Sequence, residues 1–186
     1  MANASSGYDY VVLELEQGAA AWPALRERMS DIGPLALFAP QIGFKSTDAV
    51  LLFDHAPPAA QLPGRVASID RILPVLRGAP EDLNRDPGIY AHRWFTIRAA
   101  DRSRFIELSR RAWTTFEQQQ GTRVFGLFLA EAASAGNDRL LLLTWYADHG
   151  AWQRTRDPPA EARDLFAQRR AITVETVVRT STLVSG

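Results

Sequence analysis

The chain contains no cysteine, so disulfides, iron–sulfur clusters and thiolate chemistry are excluded. It is almost without lysine: of its 21 basic residues, all but Lys45 are arginine. An equal 21 acidic residues bring the formal net charge to zero, so no broad field recruits nucleic acid or an anionic membrane. The arginines are spread along the chain rather than gathered in a block, and with abundant Ala and Pro they fit a GC-rich codon bias. No apolar run approaches the roughly 20 residues needed to cross a bilayer. The opening MANASSGYDY has neither the basic nor the apolar region of a signal peptide, and Met1 to Gly7 reads as frayed. A cytoplasmic protein is expected. There is no Gly-x-Gly-x-x-Gly after a strand, no P-loop and no Gly-x-Ser-x-Gly, so nucleotide and serine-hydrolase chemistry are not expected.

What the chain does have is a set of apolar runs of strand length. Arg139–His149, RLLLLTWYADH, leaves no polar face and suits a strand covered on both sides. Ala49–His55, AVLLFDH, echoes it. Tyr8–Glu16 alternates, with Val11, Leu13 and Leu15 on one face and Tyr10, Val12, Glu14 and Glu16 on the other. Trp22, Leu25, Met29 and Ile32 repeat at helical spacing within Ala19–Ile32, which Gly33-Pro34 ends. Further strands are expected over Leu35–Phe44 and Val66–Leu76, the latter with Pro74 at a sheet edge or bulge. A Pro/Ala-rich loop over 56–64 precedes that strand.

Residues 78–88, GAPEDLNRDPG, have the composition of a linker, and after them the order returns. Tyr90–Arg98 is a strand with Tyr90, His92, Trp94 and Thr96 on one face. A helix to about Gln120 carries Phe105, Leu108, Ala112 and Phe116, with Asp101 or Ser103 as its cap. Strands over Thr122–Ala132 and Arg139–Tyr146, a helix over Ala160–Arg170 and a closing strand over Ala171–Val184 complete the second half. Tyr8 matches Tyr90, Leu37-Phe38 matches Leu127-Phe128, Asp54-His55 matches Asp148-His149, and Asp70 matches Glu175. The separation between partners only lengthens along the chain. Each half is therefore β-α-β-β-(α)-β, the ferredoxin-like unit: residues 8–77, with the second helix reduced to loop, and residues 89–184. The fold class is α+β, two tandem ferredoxin-like units packed sheet to sheet as an intrachain α+β barrel. The helix-free face of each sheet is too aromatic to stay wet, and a small-molecule cavity between the sheets is expected.

The segments RWFTIRAADRSRFIELSRRAW, LLLLTWYADHGAWQRTRD and DLFAQRRAITVETVVRTSTLV resemble the NIPSNAP-type domain of the dimeric α+β barrel superfamily. The resemblance covers roughly 89–184 and, more weakly, 8–76. It implies a ferredoxin-like fold and a barrel made by pairing two units. The superfamily includes cofactor-independent monooxygenases, polyketide cyclases, isomerases and haem proteins, so fold is transmitted better than function.

His92 is the leading candidate for chemistry. On the inward face it acts as general base on an acidic C–H or O–H, or it is a core histidine satisfied by a neighbouring hydroxyl or carboxylate. Glu175 and Arg179 share a face of the closing strand; turned inward they orient and polarise a carbonyl, and turned outward they are a weak surface pair. Tyr10, Tyr90, Trp94, Thr96 and Trp145 are the expected substrate-binding residues. Trp22, Trp113 and Trp152 lie on helices and read as packing. The two Asp-His pairs read as strand-end turns, since no His spacing suits a metal, and no metal or cofactor is expected. The function expected is binding of a small apolar or aromatic metabolite by a cofactor-independent monooxygenase, cyclase or isomerase. A haem protein held through His92 or His149 and a non-catalytic binding module are the alternatives. A homodimer is compatible with this architecture.

Overall fold

The computed structural model describes residues 7–16, 21–118, 121–132 and 136–184. The expected frayed start, the helix onset at Ala19 and the helix end at Gln120 fall wholly or partly outside these residues. Eight strands form the fold: β1 (Tyr8–Glu14), β2 (Ala36–Ile42), β3 (Asp48–Phe53), β4 (Arg65–Arg77), β5 (Ile89–Arg98), β6 (Thr122–Ala130), β7 (Asn137–Tyr146) and β8 (Thr173–Leu183). Among the described residues four α-helices accompany them: α1 (Trp22–Ile32), α2 (Arg102–Phe116), α3 (His149–Arg154) and α4 (Ala160–Ala171).

The strands close into one barrel in the order β1-β3-β2-β8-β5-β7-β6-β4. Within each half the order is that of a ferredoxin-like sheet, and every neighbouring pair is antiparallel. The halves are stitched by β2 to β8 and by β4 to β6, which leaves no free edge. Pro74 sits where the β4–β6 register shifts, the bulge its missing N–H calls for.

Alternation decides what each face buries. On β1 and β5, Tyr8, Tyr10 and Val12 and Tyr90, His92 and Trp94 point into the barrel with Phe38, Leu52, Phe128, Leu141, Leu143 and Trp145. An eight-stranded barrel is only wide enough for such side chains to fill it. The expected hollow between the sheets is accordingly reduced to a recess of about 350 Å³ at one mouth.

The outer faces are covered unequally. α1 shields the N-terminal half through Leu25, which packs with Val11, Leu13, Leu37 and Leu51. The place of a second helix there is taken by a loop with a short 3-10 turn at Ala59–Gln61 and the buried Leu62. α2 and α4 cover the C-terminal half, with Leu108, Ala112 and Leu165 between them. α3 is the helix on which Trp152 was expected, now with its bounds. Asp148, read as a turn residue, caps it by accepting a hydrogen bond from the Ala151 amide at 2.6 Å.

The linker stoppers the barrel. The Tyr8 hydroxyl donates to the Gly78 carbonyl (2.7 Å), Tyr90 to that of Asn84 (2.7 Å), and Trp145 Nε1 to that of Asp86 (3.2 Å). Leu83 is buried in the interior cluster.

Candidate functional site

His92 lies at the centre of the barrel with no exposed surface. Its Nδ1 is 2.9 Å from the Tyr10 hydroxyl and its Nε2 is 2.6 Å from Ser181 Oγ. Phe38 and Phe44 meet the ring edge-on at centroid distances of 4.9 and 5.4 Å. Burial, and then the charge of Arg179, push the imidazole pKa down to about 3. Burial likewise drives the Tyr10 phenol above its ordinary range. The pair is neutral at physiological pH, and both ring nitrogens are occupied. This is the geometry of a satisfied core histidine.

The other residues singled out from the sequence divide between the two ends of the barrel. Tyr10, Trp94, Thr96, Glu175 and Arg179 line the recess at the open mouth with Val12, Ser68, Asp70, Arg139 and Val177. There Arg139 bonds Asp70 at 2.8 Å and stacks 4.4 Å over Trp94, while Arg179 lies 5.2 Å over Phe44. Tyr90 and Trp145 sit at the stoppered end, where their polar atoms hold the linker. The strand register also revises one repeat match. Tyr10 faces Asp70 on β4 as His92 faces Arg179 on β8, so Arg179, rather than Glu175, is the counterpart of Asp70.

A larger cavity, about 850 Å³, lies outside the barrel between the C-terminal sheet and α2–α4. Its size is that of a small-molecule site. Six aromatic side chains bound it: Phe95, Trp113, Phe116, Tyr146, Trp152 and Phe166. Trp113 and Trp152, expected only to pack, are walls of this space. The polar lining consists of Thr144, Thr155, Thr173, Thr176, the Tyr146 hydroxyl and five arginines, Arg93, Arg156, Arg163, Arg169 and Arg170.

Arg93 stands on the outward face of β5, between Ala91 and Phe95, where every other position is apolar and buried. Its Nε is buried without a hydrogen-bond partner. Arg169, on α4, is 6% exposed. Its guanidinium stacks at 5.1, 5.5 and 4.9 Å on Phe95, Phe105 and Phe166, and Nη1 donates to Ser109 Oγ at 3.2 Å. Burial, and then Arg93, pull its pKa down to about 9. Sequence reasoning missed both residues. The available signal was one charged side chain in the helix-facing register Ile89, Ala91, Phe95, Ile97 of β5.

The cavity lining does not fit an axially ligated haem, because it contains no histidine, methionine or cysteine. Tyr146 is the one phenol, and burial opposes its ionisation. His149 opens α3 and is exposed, its ring 6.3 Å from that of Trp152. Among the described residues no group of three His, Asp or Glu side chains is placed to hold a metal ion. Nor is any helix among them long and apolar enough to cross a membrane.

No protein-family model and no curated protein matches the sequence. Solved structures do match the fold. An anthrone oxidase-like protein aligns with a TM-score of 0.64 at 13% identity, over 98% of this chain and 94% of that one. A ferredoxin fold protein of Listeria monocytogenes, related to antibiotic biosynthesis monooxygenases, gives 0.54 at 12% identity, over 97% and 96%. The haem-degrading enzyme LmHde of the same species gives 0.52 at 11%, over 92% and 97%. The chain therefore has the architecture of ferredoxin-like α+β barrel proteins, built from two units in tandem.

Proposed function

We propose that this chain binds a small aromatic molecule in the cavity between the C-terminal sheet and α2–α4, and acts on it as a cofactor-independent oxygenase. The observation that carries the reading is the 850 Å³ space walled by six aromatic side chains. The NIPSNAP-like pattern of residues 89–184 falls on this half, and a lining poor in iron ligands supports chemistry without haem. The substrate that suits such a site supplies its own electrons. An activated ring methylene plus O₂ gives a ring carbonyl plus water, with no external reductant.

In that reaction the aromatic walls position the ring, the methylene gives its proton to solvent at the open rim, and the arginines stabilise the enolate until oxygen adds; the proton returns in the water released. His92 takes no part as base, since its nitrogens are committed to Tyr10 and Ser181. The test uses anthrone, following oxygen uptake and carbonyl formation, with Trp fluorescence reporting binding near Trp113 and Trp152. Ala167→Trp, at the exposed rim of the cavity, is expected to abolish both signals. Turnover that survives Ala167→Trp but falls with Glu175→Gln moves the site to the barrel mouth. That second reading is favoured by the recess joining Tyr10, Trp94, Thr96, Glu175 and Arg179. Binding without oxygen uptake leaves a non-catalytic binding protein.

A further inference from the structure

We infer that the ligand of the helix–sheet cavity carries an oxyanion, a carboxylate or its equivalent, clasped by Arg93 and Arg169. The inference rests on the cavity being the binding site, and it names the class of molecule that site takes. A buried cation is expensive unless a counter-charge and hydrogen bonds compensate it. Elsewhere in this protein even partly exposed arginines have a carboxylate partner: Arg71 pairs with Asp9, Arg77 with Glu117, Arg102 with Asp138 and Arg139 with Asp70. The cavity lining differs in composition, with five arginines and neither aspartate nor glutamate.

Two of the five face this problem under the helices, Arg169 buried whole and Arg93 half-buried with its Nε enclosed. Arg169 is buried against a serine hydroxyl, three phenyl faces and the nearby Tyr146 phenol, with no carboxylate paired to it. Arg93 has a buried, unpartnered Nε on a central strand, beside Val178 of β8 and Leu142 of β7. Arg93 leaves a buried Nε unsatisfied, Arg169 is buried without a carboxylate partner, and both line the same space. A carboxylate matches such forks in geometry and in charge. At the rim, Arg156 stacks on Trp152 at 5.0 Å, and Arg163 is already paired with Asp157 at 2.8 Å. Exposed as they are, these two draw an anion inward rather than hold it.

The experiment compares 2-naphthoate with its neutral isostere 2-naphthamide, by calorimetry and by the ligand-induced rise in Tm. It uses the full-length wild type, Arg93→Met and Ala167→Trp. Naphthoate is expected to bind wild type roughly tenfold to hundredfold more tightly than naphthamide, the range of charge-assisted hydrogen bonds. Arg93→Met should erase that preference, and Ala167→Trp should remove both ligands. Arg169→Met is a weaker test, since it also strips three aromatic contacts. Equal binding of the two probes, lost in Ala167→Trp, overturns the anion and keeps the cavity. Naphthoate binding indifferent to Ala167→Trp overturns the cavity and the anion with it. Naphthamide binding without naphthoate binding, or no response to naphthoate, overturns the anion. A readout free of ligand stands beside these: Arg93→Met should leave the Tm of the free protein unchanged or raised. A clear fall would mean that the fold already supplies the counter-charge, and would overturn the inference.

Discussion

A histidine held by a tyrosine on one nitrogen and a serine on the other is valuable to the fold as long as it stays uncharged. Folding lowers the His92 pKa to about 3, so as the pH falls below about 6.5 the unfolded chain takes up the proton first. The stability this group contributes is complete above pH 6.5 and drains away as the pH drops towards 3. At pH 4 the loss amounts to about 3 kcal/mol. His92→Gln, which keeps a polar partner but does not titrate, should show a smaller drop in unfolding free energy between pH 7 and pH 4 than wild type. Urea denaturation at the two pH values measures it, and equal drops would count against this account. Arg93 presents the opposite situation. Its Nε is buried without a hydrogen-bond partner, so it adds little to the stability of the fold.

Among the elements, the close crossing of the linker over β6 is the most exacting. Gly78 has φ +94°, and a Cβ there would lie 2.6 Å from the Phe128 ring. A Cβ on Gly126 would come within 2.8 Å of Gly78 Cα, backbone that cannot yield. Gly126→Ala should therefore cost about 1–3 kcal/mol, as overpacking does, read from the urea midpoint. The elements themselves were largely legible in the sequence because periodicity reports which face is buried. The alternation of Tyr8–Glu16 and Tyr90–Arg98 placed Tyr10, His92 and Trp94 inward, and Pro74 announced its bulge. The bounds of α3, the helix under Trp152, were not legible because six residues carry no usable periodicity and its cap Asp148 looks the same at a turn. The filling of the barrel interior was not legible for a different reason. Whether inward side chains fill a barrel depends on their combined volume across eight strands, which no single segment displays. The outer cavity arises instead where α2, α3 and α4 stand off the sheet around Arg93, a tertiary spacing. Sequence could flag only the misplaced charge.

At the scale of the whole molecule, each half depends on the other. The inner face of β5–β8 carries Tyr90, His92, Trp94, Leu141, Leu143 and Trp145, all covered by the N-terminal half. Residues 89–184 expressed alone should not persist as a folded monomer but self-associate, two copies supplying the surface that the missing half provides. Sedimentation velocity decides this, and a stable, folded monomer of the fragment would contradict it. The intact chain has no such need, since its closed barrel leaves no strand edge to donate. Any pairing of whole chains would have to use outer surface, where Ile42, Ile69 and Val174 are exposed.

Tyr10 and His92 occupy the same place in their respective halves and meet at the middle of the molecule. Two separate, identical subunits would be obliged by symmetry to bring phenol to phenol or imidazole to imidazole at that point. Joining the copies into one polypeptide lifts the obligation, so a proton giver can stand opposite a proton taker. The same freedom lets one half keep two full-length helices and a roomy pocket while the other gives up a helix and serves as its support.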